Sequence, residues 1–227
     1  MCDFVKGKFL RRYKRFLVDV ELEDGQIVVA HCTNTGSLKS CIVPGAEVIL
    51  SRAGNPQRKT RFTWEMIKIN GAWVGINTNT ANVIAYELLR NGQLKEFSDL
   101  TLLKREVKFD QSRFDIYAER GEEKIFIEVK NVTYRDGDYA RFPDAPTTRG
   151  QKHIQQLLKA RSQGYRVALF FIVQRTDVKV FAPAWDIDPV YSRLLSQAAK
   201  SGVEIYPLQI RITPSGYDLV RVMEFEL

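Results

Sequence analysis

The stretch 113–130, RFDIYAERGEEKIFIEVK, constrains the chain more than any other. Two runs rich in β-branched and aromatic residues flank Arg120-Gly121-Glu122-Glu123, so the stretch reads as a β-hairpin with a four-residue loop and Glu119 opposite Lys124. Counting back sets Ile116 opposite Ile127, Asp115 opposite Glu128 and Phe114 opposite Val129. Side chains alternate along a strand, so Phe114, Ile116, Ala118, Ile125, Ile127 and Val129 collect on one apolar face. Arg113, Asp115, Tyr117, Phe126, Glu128 and Lys130 collect on the other. A slip of one residue would mix the two sets.

The polar face places two carboxylates opposite each other, and like charges roughly 5 Å apart across a strand pair repel. A hard divalent cation, Mg²⁺ or Mn²⁺, held by Asp115 and Glu128 relieves that repulsion, because Mg²⁺ takes one or two carboxylates together with waters and a phosphate oxygen. The Val129 carbonyl offers a third donor. Lys130 projects from the same face, where its ammonium can orient a metal-bound water or offset charge developing on a phosphate. Alternating charges on a strand ordinarily mean only a solvated face. The opposed Asp115 is what argues for chemistry here.

A formal net charge of +7 makes a polyanionic partner plausible. In SRAGNPQRKTRFTW, Arg52, Arg58, Lys59 and Arg61 surround a Gly-Asn-Pro turn beside Phe62 and Trp64, and Arg11 and Arg12 lie earlier among other basic residues. Cations beside aromatics suit a groove that follows phosphates and stacks bases, although exposed loops beside core aromatics look the same. Asn34-Thr35-Gly36 could cradle a phosphate or simply form a turn.

Organisation follows from periodicity and turn residues. Strands are expected at 7–22, 26–32, 47–51, 61–69 and 73–77, which suggests a small OB-like β-barrel over 1–78. A helix capped by Asn79 or Thr80 follows, with Val83, Ile84 and Leu88 inward, ended by Asn91-Gly92. The remainder, 79–227, reads as α/β. It comprises a strand at 104–109, the hairpin, and a long loop RDGDYARFPDAPTTRG. A helix at 148–162, a doubly covered strand RVALFFIVQR, a helix opened by Asp188-Pro189 and two final strands, 203–213 and 217–227, complete it. The first of those helices carries Ile154, Leu157 and Leu158 on one face and a polar stripe of Arg149, Lys152, Gln156 and Lys159 on another. His153 adjoins the stripe and is expected at the helix surface, where it could touch DNA.

The opening residues lack the apolar core of a secretory signal, so the cytoplasm is the expected location. No apolar run is long enough for a membrane span. Cys2, Cys32 and Cys41 have no metal-ligand spacing and are assigned no chemistry.

The order helix, strand, Asp-bearing strand, Glu-x-Lys strand, helix, strand resembles the PD-(D/E)xK nuclease core. That resemblance implies roles for Asp115, Glu128 and Lys130 and lets Glu87 match an additional acid carried by some members. Phe114 stands where the motif name has Pro. More specifically, HCTNTGSL, PGAEV, SRFDIYA, IEVKNVTY and RFPDAPTTRGQKHIQQL resemble the sugar fermentation stimulation protein A family. The resemblance implies an OB-like domain joined to a nuclease-like one, DNA binding without sequence preference, and a regulatory link to sugar (maltose) metabolism. The expected function is therefore a DNA-binding protein with a metal-dependent phosphodiesterase site. The rivals are a catalytically silent DNA-binding module and RNA or nucleotide binding by the barrel. A homodimer stays open.

Overall fold

The computed structural model describes residues 4–55 and 57–227; Cys2 and Pro56, both named above, lie outside them. The chain begins with β1 (Phe4–Tyr13), β2 (Leu17–Leu22), β3 (Ile27–His31), β4 (Glu47–Arg52), β5 (Phe62–Ile69) and β6 (Ala72–Gly75). They pair in the order β3-β2-β1-β4-β5-β6, and a parallel β3–β5 pairing closes the first five into a barrel. The strand expected over 7–22 is two strands. Lys14 and Arg15 both adopt positive φ, 49° and 64°, and make a tight reversal without the glycine or asparagine that would mark it in sequence.

The barrel core holds Phe9, Val18, Val20, Leu50, Trp64 and Ile67. Trp64 is 0% exposed, donates its indole N–H to the Met66 carbonyl and packs 5.3 Å from the Phe9 ring. Its expected base-stacking role is therefore corrected to a core role, because alternation along β5 turns the indole into the barrel.

The second unit comprises α1 (Thr78–Arg90), β7 (Leu102–Phe109), β8 (Ser112–Arg120), β9 (Glu123–Val132), β10 (Tyr134–Asp136), β11 (Tyr139–Phe142), α2 (Thr148–Ser162), β12 (Arg166–Val173), β13 (Val180–Pro183), α3 (Pro189–Lys200), β14 (Glu204–Thr213) and β15 (Gly216–Val222). Six strands form a mixed sheet in the order β15-β14-β12-β9-β8-β7, with β9, β12 and β14 parallel. Ala168, Phe170 and Ile172 of β12 face α1, while Val167, Leu169, Phe171 and Val173 face α2 and α3, so this strand is covered on both sides. Asn77, rather than Asn79 or Thr80, caps α1, and Val83 is 41% exposed instead of inward. The expected long loop contains the β10–β11 hairpin, which turns at Gly137 with φ 58°. The last strand stops at Val222, after which Phe225 bridges to Phe181 of β13. No helix of the described residues is long and apolar enough to cross a membrane.

The two units are bound together by polar and apolar contacts. Asp144, in the loop between β11 and α2, accepts from the Leu38 amide at 3.0 Å, Gly75 N–H donates to the Gln174 carbonyl at 3.0 Å, and Ile49 and Met66 pack against Ile212. Gly36 makes the first contact feasible, since a Cβ there would lie 2.1 Å from Asp144 Oδ1. Gly36→Ala is expected to displace Asp144, cost about 1–3 kcal/mol and lower the melting temperature by several degrees, measurable by calorimetry.

Candidate active site

The site is built on β8 and β9. Arg120 pairs with Glu123 and Ile116 with Ile127, as the hairpin register requires, but the turn is two residues, Gly121-Glu122, because Gly121 takes φ 58°. Past Ile116 the regular alternation fails. The pair Glu106/Asp115 is missing from an otherwise constant β7–β8 register, and Glu106 adopts φ 54°. Phe114 consequently crosses to the α2 side and packs 4.8 Å from Phe126 and 5.5 Å from Phe109, instead of joining Ile116.

This interruption also sets Asp115. The β8–β9 ladder ends before it, and its carboxylate takes up the amide the ladder leaves open. Oδ2 accepts from the Val129 N–H at 2.8 Å, while Oδ1 accepts from Asn82 Nδ2 of α1 at 3.0 Å. The N–H and C=O of one strand residue point to the same edge, so the Val129 carbonyl opens on the same gap. Asp115 lies on a cleft of about 260 Å³ lined also by Glu106, Arg113, Phe114 and Arg149.

Glu128 is 2% exposed. Its Oε1 accepts from Lys130 Nζ at 2.5 Å and also meets His153 Nδ1 of α2, which lies 3.0 Å from Lys130 Nζ. Oε2 accepts no hydrogen bond from any described residue. Oε2 is not one of the buried orphaned polar atoms among the described residues, so it keeps access to solvent and to a cation arriving from it. Burial, and after it the nearby Glu128 charge, raise the Asp115 pKa to about 6 against the lowering effects of Lys130, the Val129 N–H and Asn82. Burial works the same way on Glu128, but Lys130 and His153 outweigh it and hold that pKa below the ordinary carboxylate range. Tyr191 of α3 is also buried here with its hydroxyl unpartnered, and burial, then the Glu128 and Asp188 charges, push its pKa well up.

These shifts give a pH dependence of stability. A carboxyl whose folded pKa exceeds its unfolded one stabilises the fold when protonated, so the Asp115 contribution is complete below about pH 4. It is lost as the pH rises through about 6. In the presence of a chelator, urea-unfolding free energy is expected to fall across that interval by on the order of 2–3 kcal/mol. Glu128, with its lowered pKa, acts in the opposite sense, but at pH values below this interval. The slope should vanish in Asp115→Ala.

The other expected residues divide. Arg149 lines the Asp115 cleft, and Lys152 is exposed one turn further along α2. Lys159 pairs with Asp110 at the β7–β8 turn, so the α2 stripe does run along the hairpin side. His153 is not a surface residue as expected: its side chain is 14% exposed and points at Glu128. Glu87 is not with the acids. It pairs with Arg90 at 3.1 Å and faces Tyr217 of β15, at the opposite edge of the sheet from β8.

On the barrel, Arg11 is 74% exposed and pairs with Asp19. Arg12 is a brace, donating to the carbonyls of Arg15, Asn34 and Ser37. Arg52 lies 5.3 Å over the Phe62 ring, Arg58 donates to Thr60 and Thr63, and Lys59 and Arg61 are exposed. The 34–38 loop does not form an open phosphate cradle, since Asn34 Oδ1 takes the Gly36 N–H and Asp144 takes the Leu38 N–H. Asn82 was not singled out from sequence. A polar helix residue 33 positions before the acid it holds carries no local signal.

A closed five-stranded barrel joined to a mixed six-stranded sheet, with Asp115 and Glu128-x-Lys130 on adjacent strands, defines a two-unit protein whose candidate site lies in the second unit. Comparison with known families agrees: the SfsA N-terminal OB domain matches residues 10–76 and the sugar fermentation stimulation protein RE domain matches residues 79–216. The sugar fermentation stimulation protein homolog of Geotalea uraniireducens is 46% identical over 211 residues, covering 92% of this chain and 91% of the relative. That of Syntrophotalea carbinolica is 47% identical over 212 residues, covering 93% and 91%. The solved structure of Pyrococcus furiosus SfsA in complex with Ca²⁺ superposes with a TM-score of 0.92 at 30% identity, covering 100% of this chain and 98% of that one. The chain belongs to the sugar fermentation stimulation protein family.

Proposed function

We propose that this chain binds DNA through its phosphate backbone and hydrolyses phosphodiesters with a divalent cation held at Asp115 and Glu128. One observation supports the reading: the half-buried Asp115 lies close enough to Glu128 that the Glu128 charge helps burial raise its pKa to about 6, and Glu128 Oε2 accepts from no described residue. The donor set fits a hard cation. It consists of two carboxylates and the Val129 carbonyl, all oxygen donors, while the imidazole beside them, His153, is taken up by Glu128 and Arg149, which suits Mg²⁺ or Mn²⁺ better than a nitrogen- or sulfur-seeking metal. A relative of known structure was solved with Ca²⁺, another oxygen-seeking ion.

When bound, such an ion supplies Lewis acidity and a water of lowered pKa. The chain's own groups do the rest. Asn82 and the Val129 amide fix the Asp115 carboxylate, Lys130 offsets charge that builds on the scissile phosphate, and Arg113 and Arg149 on the cleft wall hold the phosphate. Exposed Arg11, Lys59, Arg61 and Lys152 extend the positive surface along the nucleic acid. Phosphate contacts carry no base information, so binding is without sequence preference. The reading places the protein in the cytoplasm, in a regulatory role connected with the sugar fermentation of the relatives' names.

A second reading, a DNA-binding module without turnover, is favoured by one observation: Lys130 and His153 already compensate Glu128 Oε1. A divalent-metal titration with labelled single- and double-stranded DNA and RNA, scored for retention and scission, separates them. Cleavage that needs Mg²⁺ or Mn²⁺ supports the enzyme. Retention without cleavage at any metal concentration supports the module, and preferential retention of RNA points to the barrel. Affinity should fall about 10³-fold or more between 50 and 200 mM salt if six or more phosphates are contacted. Salt-independent binding contradicts both DNA readings.

A further inference from the structure

His153 lies one helical turn after Arg149 on α2, and its ring bridges the two sides of the site. Nδ1 meets Glu128 Oε1, and Nε2 lies 3.4 Å from Arg149 Nε. The partners assign the ring proton. A guanidinium only donates, so Nε2 presents its lone pair to Arg149; the Glu128 carboxylate only accepts, so the proton is on Nδ1. Lys130 Nζ, 3.0 Å from Nδ1, then donates to the shared Glu128 Oε1 rather than to the ring. Both ring nitrogens are occupied within the protein. The ring therefore has no free nitrogen for a substrate proton or a base.

We propose that His153 is a positioning residue: by loading Glu128 Oε1 from the α2 side it leaves Oε2 as the oxygen open to a cation, and through Nε2 it fixes Arg149 at the cleft. This deepens the metal-dependent reading above and rests on it. Partners of this kind, behind a carboxylate ligand, typically change metal affinity or activity by about 10–100-fold when removed.

The chain has two histidines, His31 and His153, so imidazole-nitrogen NMR of the full protein resolves them directly. The expected spectrum shows His153 as the Nδ1–H tautomer, with its Nδ1 resonance moving in Glu128→Gln and its Nε2 resonance in Arg149→Ala. An Nε2–H tautomer, or resonances indifferent to both substitutions, overturns the assignment. The functional arm compares His153→Asn, whose side-chain N–H can replace Nδ1–H, with His153→Phe. Mn²⁺ affinity by calorimetry is expected to fall about 10–100-fold in His153→Phe and to stay within about threefold in His153→Asn, with kcat for DNA cleavage following and KM unchanged. Equal losses in both variants, or none in His153→Phe, overturn the positioning role. If the unsubstituted protein neither takes up Mn²⁺ nor cleaves DNA, the metal reading itself has failed, and with it the role of His153 in serving that site.

Discussion

Glu128→Gln is expected to lower Mg²⁺-dependent DNA cleavage at least about a hundredfold while leaving retention of DNA at low salt nearly intact. The substitution keeps an oxygen that can accept from Lys130 and His153, so the buried ammonium is not stranded, yet it removes the charge that balances a divalent ion. On the proposed reading retention survives, because exposed cations such as Lys59 and Arg61, rather than the acids, supply the phosphate contacts. Cleavage rates across a metal titration, with gel retention on the same preparations, give the comparison. Undiminished metal-dependent cleavage by the variant would remove Glu128 from the chemistry.

Arg175→Met should produce the largest loss of stability. Arg175 is 0% exposed and grips Asp177 through Nε and Nη2 at 2.7 and 2.8 Å, while Nη1 donates to the Thr133 carbonyl and to Ser40 Oγ. Ser40 belongs to the barrel and Thr133 and Asp177 to the second unit, so one guanidinium ties the two. Its loss leaves the Asp177 carboxylate without its two guanidinium donors, while the Thr133 carbonyl keeps the Ser40 hydroxyl. Breaking a buried pair from one side costs about 3–5 kcal/mol, or roughly 10 °C in melting temperature for a chain of this size. Calorimetry on the full chain tests it, and a shift under about 2 °C would mean water or Asn70 and Arg135 compensate fully.

Much of this architecture is legible in the residues. The Glu-x-Lys strand, the hairpin register through Ile116/Ile127, the helix opened by Asp188-Pro189 and the doubly covered β12 all follow from alternation and capping. What alternation cannot show is where it stops. Glu106 and the Lys14-Arg15 pair take left-handed backbone with no glycine to announce it, so the crossing of Phe114 and the split of the first strand are invisible locally. Trp64 beside a basic run reads equally as a stacking platform or a core residue, and only barrel closure decides. Asn82 and His153 reach their acids across 33 and 25 positions, distances over which no sequence period extends. Glu87 fails for a related reason: helical position fixes a residue's angle around the axis but not which edge of the sheet that angle faces.

The ladder expected from alternation to pair Asp115 with Glu128 across adjacent strands ends at Ile116/Ile127, and the proposed role of the two acids is tested most directly by anomalous diffraction from Mn²⁺-soaked crystals. The expected result is a single strong peak in the gap between β8 and β9, about 2.0–2.3 Å from oxygens of Asp115 and Glu128 and from the Val129 carbonyl, absent in Glu128→Gln. No peak there at saturating Mn²⁺, or one bound only elsewhere on the surface, would contradict a divalent-ion site at these two residues.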